Sequence, residues 1–441
     1  MSKPKLLRLC LTAVLCLLIL PQGLESQIRP GEALRRIREI QQRHTEQLMN
    51  REGVVGVATG VHGSGSSAVL VLLERSGVGG IPDKLEGVPV QKVVTGKIYA
   101  LGAAPALAQF NWSWWFWGDS TPPATPTGLT AQATGSSQIE LDWADNTESD
   151  MDYYNVYRAV SGESYSRIAS VDERESRYTD TGLSPSTKYY YILAAVDDSG
   201  NRSDYSDAAN ATTAEATVEE STWPRPAPIG ASTGHFNVTA GTIGCRVTKG
   251  EKVYALSNNH VFADENRASI GDNVLQPGPI DGGANPRDAI GTLSEYQSIR
   301  FSRWARNTID AAIAECSTEN LGAATPTGGY GQPSTTPTEA TIDLEVQKYG
   351  RSTNLTTGEV YAVNATVNVT YDRGVARFVN QILITPGSFV APGDSGSLVV
   401  TKDGAHPVGL IFAGGSSVAV ANPIDSVLDH FGVAIDGKDP Q

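Results

Sequence analysis

Ala391-Pro392-Gly393-Asp394-Ser395-Gly396-Ser397 is the stretch that decides the fold, because it places a serine between turn-forming residues at a strand end. An apolar run precedes it, and a strand-like run, residues 398–400, follows it. Glycine lets the backbone approach a substrate closely, and the N–H groups of Gly393 and Ser395 could point at one developing oxyanion. The same residues also suit an ordinary turn between two strands. The choice depends on whether the chain supplies a histidine base and a carboxylate.

His260 has the most suitable context among the six histidines of the chain. It follows residues 253–259, a strand that runs into a polar corner, although a lone histidine there is more often structural. Asp310 stands among small and apolar residues, where an unpaired buried carboxylate is costly. An imidazole N–H is a partner that also makes catalytic sense. Asp264 and Asp272 lie nearer to His260 in sequence, but polar loop residues surround both, so they rank below Asp310.

The order His260, Asp310, Ser395 and the residues around them resemble a trypsin-like serine peptidase. Asn259-His260-Val261 stands at the family's histidine motif, Asp310-Ala311-Ala312-Ile313-Ala314 is similar to its buried-aspartate strand, and residues 393–397 match its nucleophile loop. The resemblance implies two packed β-barrels over residues 234–441 and hydrolysis of peptide bonds through an acyl-enzyme. It also implies that the Asp394 carboxylate helps to fix the nucleophile loop.

The same resemblance implies where a substrate would bind. Gly409-Leu410-Ile411-Phe412-Ala413-Gly414 resembles the strand that pairs with substrate backbone, which makes Phe412, Ala413 and Gly414 the expected contacts. Phe389, six positions before Ser395, stands at the base of the family's primary pocket. Because that position carries no carboxylate, a preference for Lys or Arg is not expected, and small or apolar side chains are favoured.

A closer resemblance connects the chain with a bacterial branch of this family that is related to plant narrow-leaf-type proteins. The residues that carry it surround His260 and Asp310 and continue in residues 275–279 and 348–358. A small α/β N-terminal domain, residues 27–102, is also similar to the first part of such proteins. The region between the two would then be an insertion.

That inserted region, residues 122–213, resembles a fibronectin type III domain. Short strand-like segments alternate with turns over about ninety residues, which is typical of one β-sandwich. The resemblance rests on Pro126-Thr127-Gly128-Leu129, Trp143, Tyr154-Asn155-Val156-Tyr157-Arg158 and the tyrosine-rich run at 189–191. It implies a spacer or adhesion module, not chemistry.

The chain of 441 residues is therefore predicted to be mainly β, with a trypsin-like double barrel, a sandwich and a small α/β domain. Residues 1–26 have the basic start and short apolar core of a secretory signal, which predicts a secreted, periplasmic or cell-surface protein, with an uncleaved anchor as the alternative. A tryptophan-rich linker, 103–121, would pack between domains or bind a carbohydrate or cell-surface partner. A second linker, 214–233, is acidic and then proline-rich, as expected of an exposed spacer.

Composition narrows the classes of function. A formal net charge of -14 and a pI near 4.9 argue against nucleic acid as a partner. Metal-ligand spacings and glycine-rich phosphate loops are absent from the sequence, so neither a metal nor a cofactor is expected. Outside the predicted signal only Cys245 and Cys316 remain, and they either form a disulfide or stay as buried free thiols.

These observations favour an exported serine endopeptidase that acts on protein or peptide substrates. The alternative is an adhesion or binding protein on a protease-like scaffold, with the sandwich and the aromatic linker as its working parts. A third hypothesis is a precursor that cuts itself in the second linker, at residues 214–230, where exposure would favour proteolysis.

Overall fold

A computed structural model describes residues 30–61, 66–101, 121–135, 138–160, 165–172, 175–181, 183, 187–214 and 223–438. Within these ranges the chain is mainly β, as predicted. The predicted signal and nearly all of the tryptophan-rich linker lie outside the described residues. In the part of the chain that the structure describes, no helix combines the length and the apolar character needed to cross a membrane.

The helices of the described ranges follow the apolar periodicity of the sequence. They are α1 Pro30–Met49, α2 Asn259–Phe262 and α3 Ile424–Phe431. The inward face of α1 includes Ile37, Ile40 and Leu48, which are all buried. α3 buries Ile424, Val427, Leu428 and Phe431 in the same way. It is followed by Gly432, whose φ of 62° is a conformation that glycine adopts without strain.

The N-terminal segment packs α1 against a group of strands. These are β1 Val54–Val61, β2 Ser67–Leu73, β3 Lys84–Leu85, β4 Val88–Val94 and β5 Ile98–Ala100. β1 pairs antiparallel with β2, and β2 pairs parallel with β4. Ile40 and Leu48 of α1 share one buried apolar cluster with Val57 and Val69 of these strands. The helix and the strands therefore bury one common core.

The middle of the described chain is the predicted sandwich. Its strands are β6 Thr130–Ala133, β7 Gln138–Asp142, β8 Met151–Val160, β9 Ser166–Asp172, β10 Arg177–Thr181, β11 Lys188–Asp197 and β12 Ala209–Thr212. One sheet has the order β10-β7-β6 and the other β12-β11-β8-β9. Trp143 lies edge-on to Tyr154 in the core between them, with ring centroids 5.4 Å apart.

The C-terminal region contributes fourteen strands to the described chain. They are β13 Ser232–His235, β14 Gly241–Thr242, β15 Cys245–Lys249, β16 Lys252–Ser257, β17 Asn273–Leu275, β18 Ala289–Tyr296, β19 Ala312–Cys316, β20 Glu345–Gly350, β21 Asn354–Tyr371, β22 Gly374–Thr385, β23 Leu398–Thr401, β24 Pro407–Gly414, β25 Ala419–Pro423 and β26 Ala434–Ile435. The first sheet has the order β14-β13-β17-β18-β19-β16-β15-β26. The second runs β20-β23-β24-β25-β22-β21 and then continues into β1.

The register of the first sheet brings two predicted site residues to one end of it. β16 and β19 are antiparallel neighbours, with Ser257 opposite Ala312. His260 follows β16 on the single turn of α2, and Asp310 lies two residues before the start of β19. Both side chains therefore start from the same edge of this strand pair.

The N-terminal strands join the second sheet rather than forming a sheet of their own. β1 pairs antiparallel with β21, from Gly56 opposite Val367 to Gly60 opposite Ala362. β5 pairs parallel with β21 and antiparallel with β24. Hydrogen bonding thus continues from the predicted α/β domain, residues 27–102, into the last domain, and the boundary between them remains a prediction.

The described half of the second linker differs from an exposed spacer. Ala227 and Ile229 are fully buried, and the N–H of Ala227 donates to the Asn320 carbonyl oxygen at 2.9 Å. Ile229 belongs to the apolar core of the first sheet. The prolines suggested an exposed spacer, but the apolar residues beside them, Ala227 and Ile229, are buried in the domain. From Ala227 onward this segment is part of the C-terminal domain.

Of the two alternatives for Cys245 and Cys316, the disulfide is not formed, and both cysteines are free. Cys245 lies on β15 and Cys316 on β19, with β16 between the two strands. Strands two places apart are separated by about 9–10 Å, whereas bridged cysteines have Cα atoms about 4.4–6.8 Å apart. The alternative of free thiols describes this region, with Cys245 buried and Cys316 partly buried.

Candidate active site

His260 is held at the edge of the first sheet by its sequence neighbours. Asn258 donates its side-chain amide to the main-chain carbonyl oxygen of Asp310 at 2.8 Å. Asn259 donates to Asn266 Oδ1 and to the Gln297 carbonyl oxygen, both at 2.7 Å. These amides anchor the two residues before His260, so the polar corner noted in the sequence has a positioning role.

The structure brings His260, Asp310 and Ser395 into one hydrogen-bonded chain. His260 Nδ1 lies 2.6 Å from Asp310 Oδ2, and His260 Nε2 lies 2.7 Å from Ser395 Oγ. The main-chain N–H of His260 also donates to Asp310 Oδ1 at 3.2 Å. All three side chains are buried. The imidazole is therefore placed between a carboxylate and a hydroxyl, with a different ring nitrogen facing each.

Asp310 has a further partner that sequence reasoning did not find. Tyr371, the last residue of β21, donates its hydroxyl to Asp310 Oδ2 at 2.8 Å. Burial, followed by the charge of Asp310, raises the pKa of Tyr371 well above its usual value, so the hydroxyl stays a donor. Asn422 adds two contacts to the Asp310 main chain. No local pattern points to Tyr371, because it comes from the other sheet.

The two competing carboxylates have other partners. Asp264 Oδ1 accepts from Arg267 Nη2 at 2.6 Å. Asp272 Oδ2 lies 3.2 Å from Nε2 of a different histidine, His235. Of these candidates the structure brings Asp310 to His260, in agreement with the ranking from sequence.

Asp394 fixes the loop that carries Ser395. Its Oδ2 atom accepts from Thr353 Oγ1 at 2.7 Å and from the Ala391 N–H at 2.9 Å, and Lys348 Nζ lies 3.1 Å away. Asp394 and Lys348 are both fully buried. Burial lowers the pKa of the Lys348 ammonium, and the Asp394 carboxylate opposes that change. The role that the family resemblance implied for Asp394 fits this geometry, while Lys348 is a partner that the sequence did not reveal.

Glycine is required on both sides of the serine. Gly393 and Gly396 have φ values of 99° and 93°, which side-chain-bearing residues rarely adopt. A Cβ atom at Gly396 would lie 2.3 Å from the carbonyl oxygen of Thr242. The turn that presents Ser395 is therefore specified by its glycines, as the sequence predicted.

The predicted oxyanion donor Gly393 is already engaged. Its N–H donates to the carbonyl oxygen of Leu101 at 2.7 Å. The N–H of Leu101 in turn donates to the Phe412 carbonyl oxygen at 3.2 Å. The end of the N-terminal segment thus lies directly against the nucleophile loop.

The four predicted substrate contacts lie together beside this segment. β24 contains Phe412, Ala413 and Gly414, and Ala413 pairs with Ala100 while Gly414 pairs with Tyr99 of β5. Phe389 is buried and belongs to one apolar cluster with Leu101. The surface expected to receive a substrate backbone therefore holds a strand of the chain itself.

Groups of three or more His, Cys, Asp or Glu side chains able to hold a metal ion do not occur within the described ranges. The buried charged groups at the site are instead paired with one another, as in the contacts of Asp310 and Asp394 above.

Comparisons with known proteins match separate parts of the chain. Residues 124–212 match the family model described as "Fibronectin type III domain". This segment is a fibronectin type III domain. Exoglucanase B of Cellulomonas fimi is 36% identical over 98 residues, which is 22% of this chain and 8% of that protein. An α-amylase of Niallia circulans is 38% identical over 96 residues, 22% of this chain and 7% of that protein. The chain thus spans less than a tenth of either relative.

Solved structures of bacterial proteases are similar to about half of the chain. Thermobifida fusca protease A is 18% identical, with a TM-score of 0.34, and covers 48% of this chain and 100% of its own. A chymotrypsin from Cellulomonas bogoriensis is 18% identical, with a TM-score of 0.33, and covers 48% of this chain and 98% of its own.

Proposed function

We propose that the protein is an exported serine endopeptidase that hydrolyses peptide bonds through Ser395, His260 and Asp310. The observation that carries the proposal is the continuous chain of contacts from Asp310 Oδ2 through the imidazole to Ser395 Oγ, at 2.6 and 2.7 Å. A serine hydroxyl becomes a useful nucleophile at neutral pH when a base accepts its proton during attack. This arrangement supplies the base and the group that orients it.

The first half of the reaction forms an acyl-enzyme. Ser395 Oγ attacks the carbonyl carbon of the substrate while His260 Nε2 takes the hydroxyl proton. The Asp310 carboxylate stabilises the imidazolium and holds the tautomer in which Nε2 is free to accept. His260 then returns the proton to the leaving nitrogen. In the second half of the reaction, water attacks the ester carbonyl carbon with His260 again acting as the base, and Ser395 is released with its hydroxyl restored.

The developing oxyanion is assigned to the N–H groups of Gly393 and Ser395. Support comes from Gly393, whose N–H already donates to a carbonyl oxygen at 2.7 Å. The contacts of Asp394 with Lys348 and Thr353 hold this loop before any substrate arrives. Donors that need no rearrangement during the reaction give the largest stabilisation.

The primary pocket is proposed to accept apolar side chains of moderate size. Phe389 at its base and Val390 beside it belong to the same buried apolar cluster. Gly414 lies against this cluster, since a Cβ atom there would lie only 3.1 Å from Val390 Cγ2. None of these residues carries a charge that could pair with Lys or Arg of a substrate.

The proposal includes export of the protein and its attachment to a partner at a surface. The predicted signal at residues 1–26 supports export, and the fibronectin type III domain supports attachment of the peptidase to a carbohydrate or cell-surface partner. Two relatives that this chain matches in part are an exoglucanase and an α-amylase. A binding protein without turnover is the competing function, and Ser395-dependent chemistry separates the two.

The experiment is covalent labelling with a fluorophosphonate, followed by intact and peptide mass analysis. The wild type is expected to gain one adduct on Ser395. Ser395→Ala is expected to gain none, and Ser298→Ala, at an exposed serine of the same domain, is expected to label like the wild type. The proposal fails if Ser395 gains no adduct and no peptide bond, in the chain itself or in added peptides, is cut in a Ser395-dependent way.

A further inference from the structure

We propose that the first substrate of this site is the protein itself, and that Ser395 cuts the bond between Leu101 and Gly102. The inference rests on the proposed function and names its substrate. After the cut, the segment that ends at Leu101 stays bound where the acyl part of a substrate would lie, as a product.

Both main-chain groups of Leu101 are held by the site. The carbonyl oxygen accepts from the proposed oxyanion donor, Gly393 N–H, at 2.7 Å, and the N–H donates to the Phe412 carbonyl oxygen at 3.2 Å. Ser395 Oγ lies 3.5 Å from that same Phe412 oxygen. The Ser395 hydroxyl and the Leu101 N–H therefore meet at one main-chain oxygen, and the Leu101 carbonyl oxygen lies at Gly393 of the serine's own loop. Holding a nucleophile and its target close together in this way favours the reaction between them.

The residues before Leu101 extend this contact along the strand. β5 runs antiparallel to β24, with Ala100 opposite Ala413 and Tyr99 opposite Gly414. Adding a strand to an exposed edge is a general way to bind an extended peptide, because main-chain hydrogen bonds fix its position. The chain thus presents its own residues in the extended form that a cleaved peptide would need.

The side chain of Leu101 occupies the apolar pocket. It is buried and shares a cluster with Phe389 and Val390. A Cβ atom at Gly414 would lie 3.3 Å from Leu101 Cδ2, so the leucine lies against the bare backbone of that glycine. An apolar side chain of this size is what the pocket was proposed to accept.

The bond that would be cut follows from these contacts. Ser395 Oγ bonds to the Leu101 carbonyl carbon while His260 Nε2 takes the hydroxyl proton. The bond from that carbon to the Gly102 nitrogen breaks, and the nitrogen leaves as an amine with the proton from His260. Water then attacks the ester carbon, gives a proton to His260, and releases Ser395 with its proton restored. The products are a Leu101 carboxylate and a Gly102 amine.

The acyl side would remain bound after the cut because other contacts hold it. β5 also pairs with β21, with Ile98 opposite Val369. Further back, β1 pairs with β21 over several residues, and the Thr95 carbonyl oxygen accepts from Ser416 N–H at 2.9 Å. A product tethered in this way is present at a high effective concentration and competes with added substrate.

We place self-cleavage here rather than in the second linker, of which residues 215–222 lie outside the described residues. Ala227 and Ile229 of that linker are fully buried in the domain core. Leu101, in contrast, has its carbonyl at the nucleophile loop. Burial of the backbone protects a segment from proteolysis, whereas alignment at the site promotes it.

The test is intact mass and N-terminal sequencing of the purified full chain, as wild type and as Ser395→Ala. The wild type is expected to give two copurifying pieces, one that ends at Leu101 and one that begins at Gly102. Ser395→Ala is expected to keep that bond. Because the reaction is within one chain, its rate constant is expected to be independent of protein concentration.

A second variant tests the pocket. Leu101→Arg is expected to slow the cut by about tenfold or more, because a charged side chain does not fit an apolar pocket. Ile270→Arg, at an isoleucine that is 61% exposed, makes the same change away from the site and should cut like the wild type. Thermal unfolding of both variants confirms that each is folded before rates are compared.

The outcomes separate this inference from the proposed function. If the wild-type bond stays intact, or a different bond is cut, while Ser395 still takes a fluorophosphonate or cleaves added peptides, self-cleavage after Leu101 is overturned and the peptidase remains. If Ser395 shows neither chemistry, the peptidase itself is overturned.

Discussion

Tyr371 donates its hydroxyl to Asp310 Oδ2 at 2.8 Å, and the same oxygen lies 2.6 Å from His260 Nδ1. One carboxylate oxygen therefore joins a residue of the second sheet to the proposed base on the first. The ring of Tyr371 also lies edge-on to the imidazole, with centroids 5.9 Å apart. The orientation of His260 depends on both sheets, which couples the packing of the domain to its chemistry.

Tyr371→Phe is expected to lower kcat by about tenfold with little change in KM, because the loss of one hydrogen bond to a charged group is worth about 1.5 kcal/mol. The ring and its packing against Phe378 remain. Tyr361→Phe on the same strand is the control, since its hydroxyl contacts Gln91 instead. Steady-state kinetics on a peptide that ends in leucine p-nitroanilide measure kcat and KM separately. Equal kcat values for both variants would limit Tyr371 to a structural role.

Asp310→Asn is expected to reduce the rate of Ser395-dependent cleavage by about four orders of magnitude, because the amide favours the wrong imidazole tautomer. Asp272→Asn changes a carboxylate that faces His235 instead, so its rate should match the wild type. Both rates are measured on the same peptide substrate. Comparable losses in the two variants would refute the assignment of Asp310 as the orienting group.

Lys348→Met is expected to destabilise the fold by about 3–5 kcal/mol, because it leaves the buried Asp394 carboxylate without its cation. Lys402→Met is the matched control: its ammonium lies 2.9 Å from Glu345 on the surface, where such a pair contributes less than about 1 kcal/mol. Urea unfolding of the two variants gives the comparison. A small loss at both positions would show that the buried pair does not hold the nucleophile loop.

Stability is expected to fall in alkaline solution, in part through Cys316. Burial raises the pKa of its thiol from 9.0 to about 12. Because the folded-state value is the higher one, the stabilisation is complete below pH 9.0 and is lost as the pH rises from 9.0 towards about 12, where only the unfolded chain has ionised. Cys316→Ala should lose less stability than the wild type over that range. If the urea midpoints of the wild type and Cys316→Ala fell by the same amount over this pH range, the prediction would be contradicted.

Patterns among residues that are close in sequence predicted much of the fold. The turn around Ser395 requires positive φ values, which Gly393 and Gly396 adopt without strain. The apolar residues between 31 and 50 recur at helical spacing, which matches the buried face of α1. The strand-and-turn spacing of residues 122–213 predicts the sandwich. In each case the residues that decide the structure are neighbours in sequence.

Contacts between residues that are far apart in sequence could not be predicted from the sequence alone. Tyr371 reaches Asp310 and Lys348 reaches Asp394 across strands whose register no local pattern specifies. The strand that ends at Ala100 looks like any other short strand, yet it pairs with β24 beside the serine. The linker from Ala227 was expected to be exposed because prolines are typical of extended segments. Prolines do not indicate, however, whether other parts of the chain pack over such a segment.

The most direct measurement of the central claim is cleavage-site profiling on a peptide library, with the wild type, Leu101→Arg, and the Ser395→Ala form of each. The account predicts cuts after leucine and similar apolar residues, faster with Leu101→Arg because the bound strand is weakened, and absent from both Ser395→Ala proteins. Cuts that persist without the Ser395 hydroxyl, or a preference for lysine and arginine at the cut, would contradict it.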